Sequence, residues 1–349
     1  IDKSLEPIKD QFFMQRCLTL ASKALGSAAP NPMVGAVVVY QNKIIGEGWH
    51  QKAGEAHAEV HAINQVSAEE ILKKATLYVN LEPCSHFGKT PPCADLIIEK
   101  GIKKVVIASR DPNPLVSGKG IKKLKEAGIT VVENILKEEA DFLNRRFYTF
   151  HQKKRPYIIL KWAETQDGYM APSHKKEKKP YWISNALAKQ KVHQWRTEEA
   201  AILVGVQTVI EDNPLLTARE WPGKNPLRMV LDPNNRMPAD AALLHDGLPT
   251  FLFSNEKINT TNKQLTQQVL RPFDLDQLME FCYENKITSL FVEGGRKTLD
   301  SFIEAHLWEE ARVFKSEKKL GEGLEAPKLN RPSTKEEKIG ANKLKFYFK

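Results

Sequence analysis

The 349-residue sequence is poor in cysteine. Cys17, Cys84, Cys93 and Cys282 are too few and too scattered for a disulfide scaffold in a chain of this length, which leaves metal binding or core packing as their uses. No apolar run approaches the roughly 20 residues that a membrane helix needs, and residues 1–10 lack a basic segment followed by an apolar one. A soluble, cytoplasmic protein with no membrane partner is expected. No internal repeat is visible, and no Gly-x-Gly-x-x-Gly occurs, so a Rossmann domain is not expected. A one-sided charge stripe is also missing. The net charge of +9 is spread, with 20 Lys and Arg against 17 Asp and Glu in residues 1–150 and 32 against 26 in the remainder. That distribution suits an ordinary solvated surface or a phosphorylated small molecule at least as well as nucleic acid.

What is present is the composition of a packed protein, 41% hydrophobic and 27% charged. The length exceeds one typical core of about 150 residues, so two domains are expected, residues 1–150 and 151–349. The first alternates helix-like and strand-like stretches, as an α/β layer fold does. Apolar residues recur at helical spacing from Ile8 to Leu25; Val34–Tyr40 and Ile44–Trp49 read as a strand hairpin and His57–Val66 as a helix. Strands at Thr76–Asn80 and Lys104–Ala108 flank a Pro/Gly-rich loop and a helix from Cys93 to Lys100. A helix over Lys119–Ala127, a strand over Ile129–Val132 and one amphipathic segment, Glu138–Phe150, complete the domain. A second α/β set begins at Tyr157–Trp162 and continues through helices at Asn185–Trp195 and Asp274–Glu284 and strands at Ala201–Gly205, Arg228–Asp232, Thr250–Ser254 and Ser289–Val292. The run His174–Lys179 reads as a charged surface loop.

The most informative residues are His57-Ala58-Glu59, Pro83-Cys84 and Pro92-Cys93. Zinc favours imidazole nitrogen and thiolate sulfur, and a catalytic site supplies three protein ligands while water takes the fourth position. His57, Cys84 and Cys93 meet that count, and zinc so held makes water a nucleophile at neutral pH. Glu59, two residues past the ligand at a helix start, is placed to move protons without joining the coordination sphere. His-x-Glu followed by Pro-Cys and a second Cys is the pattern of zinc deaminases. Three classes are compatible with these residues: a deaminase of a small nitrogenous ring, a nucleic-acid-editing deaminase with an accessory domain, and a zinc-stabilised binding module with His86 as fourth ligand. Eight residues separate the two cysteines, where most nucleoside and nucleic-acid deaminases have two, and the enlarged loop carries His86 and Lys89.

The stretches Asn31–Ala36, Gly54–Ala62, Leu81–Cys93 and Arg110–Pro114 resemble one family in particular, the bifunctional riboflavin-biosynthesis deaminase/reductases. In the second half, Lys161–Gly168, Trp182–Ser184, Ile202–Val209, Asp212–Arg219 and Val292–Gly295 resemble its reductase part. The resemblance implies a cytidine-deaminase-like three-layer α/β/α domain followed by a dihydrofolate-reductase-like α/β domain. It implies hydrolytic deamination of 2,5-diamino-6-ribosylamino-4(3H)-pyrimidinone 5′-phosphate, then NADPH-dependent reduction of the ribosyl group to ribityl, with Zn2+ and NADPH as cofactors. Carried over by position, Asn31, His50, His86, Lys89, Asp111 and Asn113 contact the pyrimidine ribotide. Trp182, Thr208, Asp212, Gly294 and Gly295 line the NADPH site, and Lys161, Arg196, Leu216, Arg219 and Glu293 face the reductase substrate. An arginine suits phosphate through its planar fork of donors. A homodimer or higher homo-oligomer through the reductase half is implied as well. Three departures stand out: Glu164-Thr165-Gln166-Asp167 where small-Ser-Leu-Asp is usual, the basic run His174–Lys179 in place of a short turn, and a charged tail after Phe314 where an apolar, Pro-containing strand continuation is expected. Glu164 beside the nicotinamide is expected to hinder binding.

Overall fold

The computed structural model describes residues 6–86, 91–114, 116–174, 181–258, 260 and 262–349. The chain divides after Lys154 into two compact units.

In the first unit the elements run α1 (Glu6–Ser22), β1 (Gly35–Tyr40), β2 (Lys43–Trp49), α2 (Ala58–Asn64), α3 (Glu69–Leu72), β3 (Thr76–Leu81), α4 (Cys93–Glu99), β4 (Lys104–Ser109), α5 (Lys119–Glu126), β5 (Thr130–Val132), α6 (Lys137–Leu143) and α7 (Arg145–Lys153). The five strands form one sheet in the order β2-β1-β3-β4-β5, with β1 antiparallel to both neighbours and β3, β4 and β5 parallel. Side chains alternate across a strand, so Val37, Val39, Tyr78 and Val106 pack against α1 and α6, while Ala36, Val38, Leu77, Val79 and Ile107 pack against α2, α4 and α5. The result is a three-layer α/β/α unit. Glycine sets the spacing of one layer: a Cβ on Gly46 would stand 2.1 Å from the Ala62 carbonyl oxygen, and one on Gly48 would stand 2.4 Å from the His61 Cβ. Only bare backbone in β2 lets α2 lie this close.

One expected element is different. Glu138–Phe150 is two helices, broken at Asn144. Asn144 is buried and spends its amide on the backbone of Met33, 111 residues away in sequence. Helical periodicity continues across the break, so local pattern alone does not reveal it.

The second unit runs β6 (Tyr157–Glu164), β7 (Tyr169–Ala171), α8 (Ala186–Glu198), β8 (Ala201–Gly205), α9 (Val206–Asp212), β9 (Leu227–Leu231), β10 (Thr250–Ser254), β11 (Leu265–Val269), α10 (Leu275–Glu284), β12 (Ser289–Glu293), α11 (Arg296–Glu304), β13 (Glu310–Lys315), β14 (Leu324–Glu325), β15 (Lys335–Ile339) and β16 (Asn342–Phe348). Nine of these strands make one sheet, β11-β10-β9-β8-β12-β6-β13-β16-β15, and β14 pairs with β7 apart from it. The sheet is parallel from β11 through β13, and β16 and β15 close one edge antiparallel. Helices cover both faces of the parallel part, which explains why Tyr157–Leu160, Ala201–Val204 and Ser289–Val292 are continuous apolar runs and not alternating ones. The charged tail after Phe314 forms that antiparallel edge, so strand pairing continues where apolar sequence does not.

A candidate zinc deaminase centre and a reductase cleft

Four chain segments meet at one end of the first sheet. Strands β3 and β4 end there, β1 begins there and β2 finishes there, because β1 runs against both β2 and β3. Helices α2 and α4 start at the same end. His57 caps α2, and Cys93 opens α4. Cys84 lies just past β3, and Gly120 fixes it from behind, since a Cβ on that glycine would stand 1.9 Å from the Pro83 oxygen.

His57, Cys84 and Cys93 form the one group of potential metal ligands among the described residues, with their donor atoms all within 4.8 Å of one another. His57 Nδ1 is 3.2 Å from the Cys93 sulfur and 3.6 Å from that of Cys84. Tetrahedral zinc with the usual bond lengths places nitrogen and sulfur ligands roughly 3.5 Å apart, so this donor set fits the ion. His86, the alternative fourth ligand, is exposed and outside the group. The three donors also share protons closely. The Cys93 thiol, its backbone N–H and the His57 ring all face the Cys84 sulfur and pull that thiol far below its usual range. Cys93 is pushed up in turn, and the Cys84 thiolate holds the His57 ring at about 9. Glu59 is 3% exposed, and burial raises its carboxyl above the ordinary carboxylate range, with His57 opposing. A carboxylate raised in this way is a stronger proton acceptor than an exposed one.

Asn31 and His50 flank this centre. The His50 ring is buried, donates from Nδ1 to the Ala56 carbonyl at 3.2 Å and accepts at Nε2 from the Asn31 amide at 3.0 Å. Both ring nitrogens are thereby committed, and burial keeps the ring below its usual pKa. Asp111 is buried with its carboxyl raised to about 7 by burial, and it accepts the Asn113 N–H at 2.7 Å. Lys89 lies outside the described residues. Glu82 had no role assigned to it from sequence. Its buried carboxylate accepts backbone N–H groups from Asp111, Gly118, Gly120 and Ile121 at 3.0–3.3 Å, joining the Asp111 loop and the start of α5 to the strand that delivers Cys84. Its position directly before Pro83-Cys84 is the single sequence clue.

The second unit carries a cleft of about 1140 Å³ at the carboxyl ends of its parallel strands, where ligands of open α/β sheets bind. All of Lys161, Trp182, Arg196, Thr208, Asp212, Leu216, Arg219, Glu293, Gly294 and Gly295 line it. Gly205 and Glu293 end the strands β8 and β12, and Lys161 of the adjacent β6 lies opposite Glu293. Gly294 and Gly295 both have positive φ, 92° and 74°, between β12 and α11, a conformation that leaves N–H groups available to a phosphate. Together with the apolar lining, this fits a dinucleotide such as NADPH. Leu216 is also left-handed, at φ 57°, and the buried Arg228 steadies it by donating to the Leu215 carbonyl at 3.1 Å. The Arg196 guanidinium is largely spent inside the protein, on Glu293 and on the Thr217 carbonyl. His193, unremarked in the sequence, also lines the cleft. Glu164 is not among the residues that line it. The lining runs through Lys161, Trp162 and Ala163 and resumes at Met170, while the Glu164 carboxylate accepts from Trp162 Nε1 at 3.1 Å and pairs with Lys315 at 3.5 Å.

A His/Cys/Cys centre with a buried Glu on a three-layer α/β/α unit, followed by a nine-stranded unit with a dinucleotide-sized cleft, defines a zinc deaminase joined to a reductase. Family models agree: the cytidine and deoxycytidylate deaminase zinc-binding region matches residues 7–109, and the RibD C-terminal domain matches residues 156–344. The chain belongs to the RibD family of bifunctional riboflavin-biosynthesis deaminase/reductases. It is 46% identical to the riboflavin biosynthesis protein RibD of Aquifex aeolicus over 321 residues, covering 90% of this chain and 89% of that one. It is 36% identical to the RibD of Escherichia coli, with 90% and 89% covered. The solved deaminase/reductase of Thermotoga maritima superposes with a TM-score of 0.89 at 37% identity, over 98% of this chain and 99% of that one. No described helix is long and apolar enough to cross a membrane.

Proposed function

We propose that the first unit removes the amino group of 2,5-diamino-6-ribosylamino-4(3H)-pyrimidinone 5′-phosphate. The second then reduces the ribosyl group of 5-amino-6-ribosylaminouracil 5′-phosphate to ribityl. The observation that carries this reading is the convergence of His57, Cys84 and Cys93 beside the buried Glu59. The name of the Thermotoga relative, a diaminohydroxyphosphoribosylaminopyrimidine deaminase and 5-amino-6-(5-phosphoribosylamino)uracil reductase, supports the choice of substrates.

His57, Cys84 and Cys93 hold zinc, which when bound supplies Lewis-acid activation of water. With zinc bound, Glu59 would take a proton from the attacking water and deliver it to the amino group as the water oxygen bonds the ring carbon and the C–N bond breaks to release ammonia, the water's second proton passing to the ring nitrogen. Asn31, His50, His86, Lys89, Asp111 and Asn113 hold the ribotide. In the second unit NADPH supplies a hydride, and the protein's task is orientation. Gly294 and Gly295 offer backbone N–H groups to the cofactor, with Trp182, Thr208 and Asp212 along its path. Lys161 and Arg219 face the sugar phosphate, Leu216 packs beside it, and Glu293 with Arg196 shapes that wall. A homo-oligomer acting in the cytoplasm is part of the proposal; light scattering of the purified protein checks the assembly.

The test is to incubate zinc-loaded protein with the diaminopyrimidinone ribotide, with and without NADPH, reading ammonia release and NADPH oxidation separately. Ammonia without NADPH, followed by NADPH oxidation once it is added, is the expected result. Ammonia with no NADPH oxidation overturns the reductase half of the proposal, and no ammonia overturns the whole.

A further inference from the structure

Met33, two residues past Asn31, has both of its backbone groups captured by buried side chains. Its N–H donates to Asn144 Oδ1 at 2.8 Å, and its carbonyl accepts from Asn144 Nδ2 at 2.9 Å and from Asn80 Nδ2 at 3.0 Å. Asn80 Oδ1 then accepts the Gly35 N–H at 2.7 Å. Asn80 is 0% and Asn144 2% exposed. The β1–β3 ladder begins at Ala36 opposite Val79, so the two amides continue the bonding to Met33 and Gly35 on the β3 side, ahead of the ladder. An amide that donates to and accepts from the same residue fixes the orientation of that backbone as well as its position.

The bonds continue toward the centre. The His50 N–H donates to the Val34 carbonyl at 2.8 Å, the Asn31 amide meets the His50 ring at 3.0 Å, and that ring donates to Ala56, the residue before the ligand His57. Asn144 sits at the far end of this chain, at the break between α6 and α7.

We infer that Asn144 is a positioning residue for deamination: through Met33 it fixes the segment that carries Asn31 and seats His50, and so sets affinity for the pyrimidine ribotide more than the rate of the chemical step. The inference rests on the proposed ribotide contact of Asn31. The zinc ligands come from α2, α4 and the end of β3, so a loosened 31–35 segment misplaces substrate before it misplaces metal.

The experiment uses full-length, zinc-loaded protein carrying Asn144→Leu, of similar volume but without hydrogen bonds, and measures ammonia release against ribotide concentration. The expected result is a KM raised about tenfold, the size one or two lost hydrogen bonds confer, with kcat within about twofold, zinc content retained and NADPH oxidation on the deaminated ribotide unchanged. Asn144→Asp, which when protonated offers the same donor and acceptor, is expected to approach the unaltered KM as pH falls. An unchanged KM in Asn144→Leu, whatever its melting temperature, overturns the inference. If that variant fails to hold zinc, Asn144→Asp carries the test, and a KM that follows the unaltered protein at every pH overturns the inference. Asn31→Ala separates the two readings. A raised KM there without one in Asn144→Leu overturns only the role of Asn144, and no rise in either overturns both.

Discussion

The Glu293 carboxylate receives the Arg196 guanidinium through two bonds, Nε at 2.7 Å and Nη2 at 3.0 Å, with Lys161 3.5 Å away on its other side. Burial alone would push this carboxyl up, but the two cations outweigh burial and hold it at about 2. Removing one partner of a buried pair strands the other charge at a cost of about 3–5 kcal/mol. With Lys161 still beside Glu293, Arg196→Ala is expected to destabilise the reductase unit by no more than about that amount and to suppress NADPH oxidation, leaving ammonia release unaltered. Denaturant unfolding and the two separate assays check this.

Glu59→Gln keeps the size of the side chain and removes its ability to shuttle a proton. Positioned acid–base groups contribute about 10²–10⁴-fold, so kcat for ammonia release is expected to fall by that order while zinc stays bound. NADPH oxidation with supplied uracil ribotide is expected to persist, and metal analysis distinguishes a lost proton carrier from a lost ion.

Chelation of zinc, or Cys84→Ser, is expected to abolish ammonia release without affecting NADPH oxidation on supplied uracil ribotide. Zinc added back restores the chelated protein but not the variant. Persistent ammonia release by rigorously metal-free protein contradicts the assignment of His57, Cys84 and Cys93.

Glu82→Gln replaces a carboxylate that accepts four backbone N–H groups with an amide whose NH2 faces some of those donors. Charge-assisted bonds of this kind are worth about 1.5–3 kcal/mol each when a partner is lost. A loss of about 2–4 kcal/mol from the deaminase unit is expected, measurable by chemical denaturation.

His193 supplies a pH dependence. Burial, then the charges of Arg196 and Arg219, hold its ring at about 4 against an ordinary 6.5. In the unfolded chain the ring takes up a proton near 6.5, so between these values the unfolded state binds more protons than the folded one. Stability is therefore complete above pH 6.5 and declines as pH falls toward 4, by about 1.4 kcal/mol per unit at most. His193→Gln is expected to lose this slope, so that its stability relative to the unaltered protein improves on acidification. Melting curves from pH 7 to 4.5 provide the check.

Much of this was legible from local pattern. The runs Tyr157–Leu160, Ala201–Val204 and Ser289–Val292 announce buried parallel strands, and His57, Glu59, Cys84 and Cys93 declare their chemistry by type and order. What stayed hidden depends on partners distant in the chain. Asn144 looks like one more helical position until Met33 is seen against it, and Glu82 looks like a surface carboxylate until the start of α5 closes over it. The strand Lys335–Ile339 carries four charges in five residues and joins the sheet because Asn342–Phe348 folds back along it. The second unit's cleft was foreseeable through family resemblance. The commitment of Arg196 to Glu293 was not, because two side chains 97 residues apart leave no local trace of their pairing.

Gly46 and Gly48 touch neither metal nor substrate, yet α2 rests directly on them. A single methyl at either would push against Ala62 or His61 and lift the helix whose first turn presents His57 and Glu59. Gly46→Ala or Gly48→Ala is therefore expected to cost ammonia release without touching any ligand.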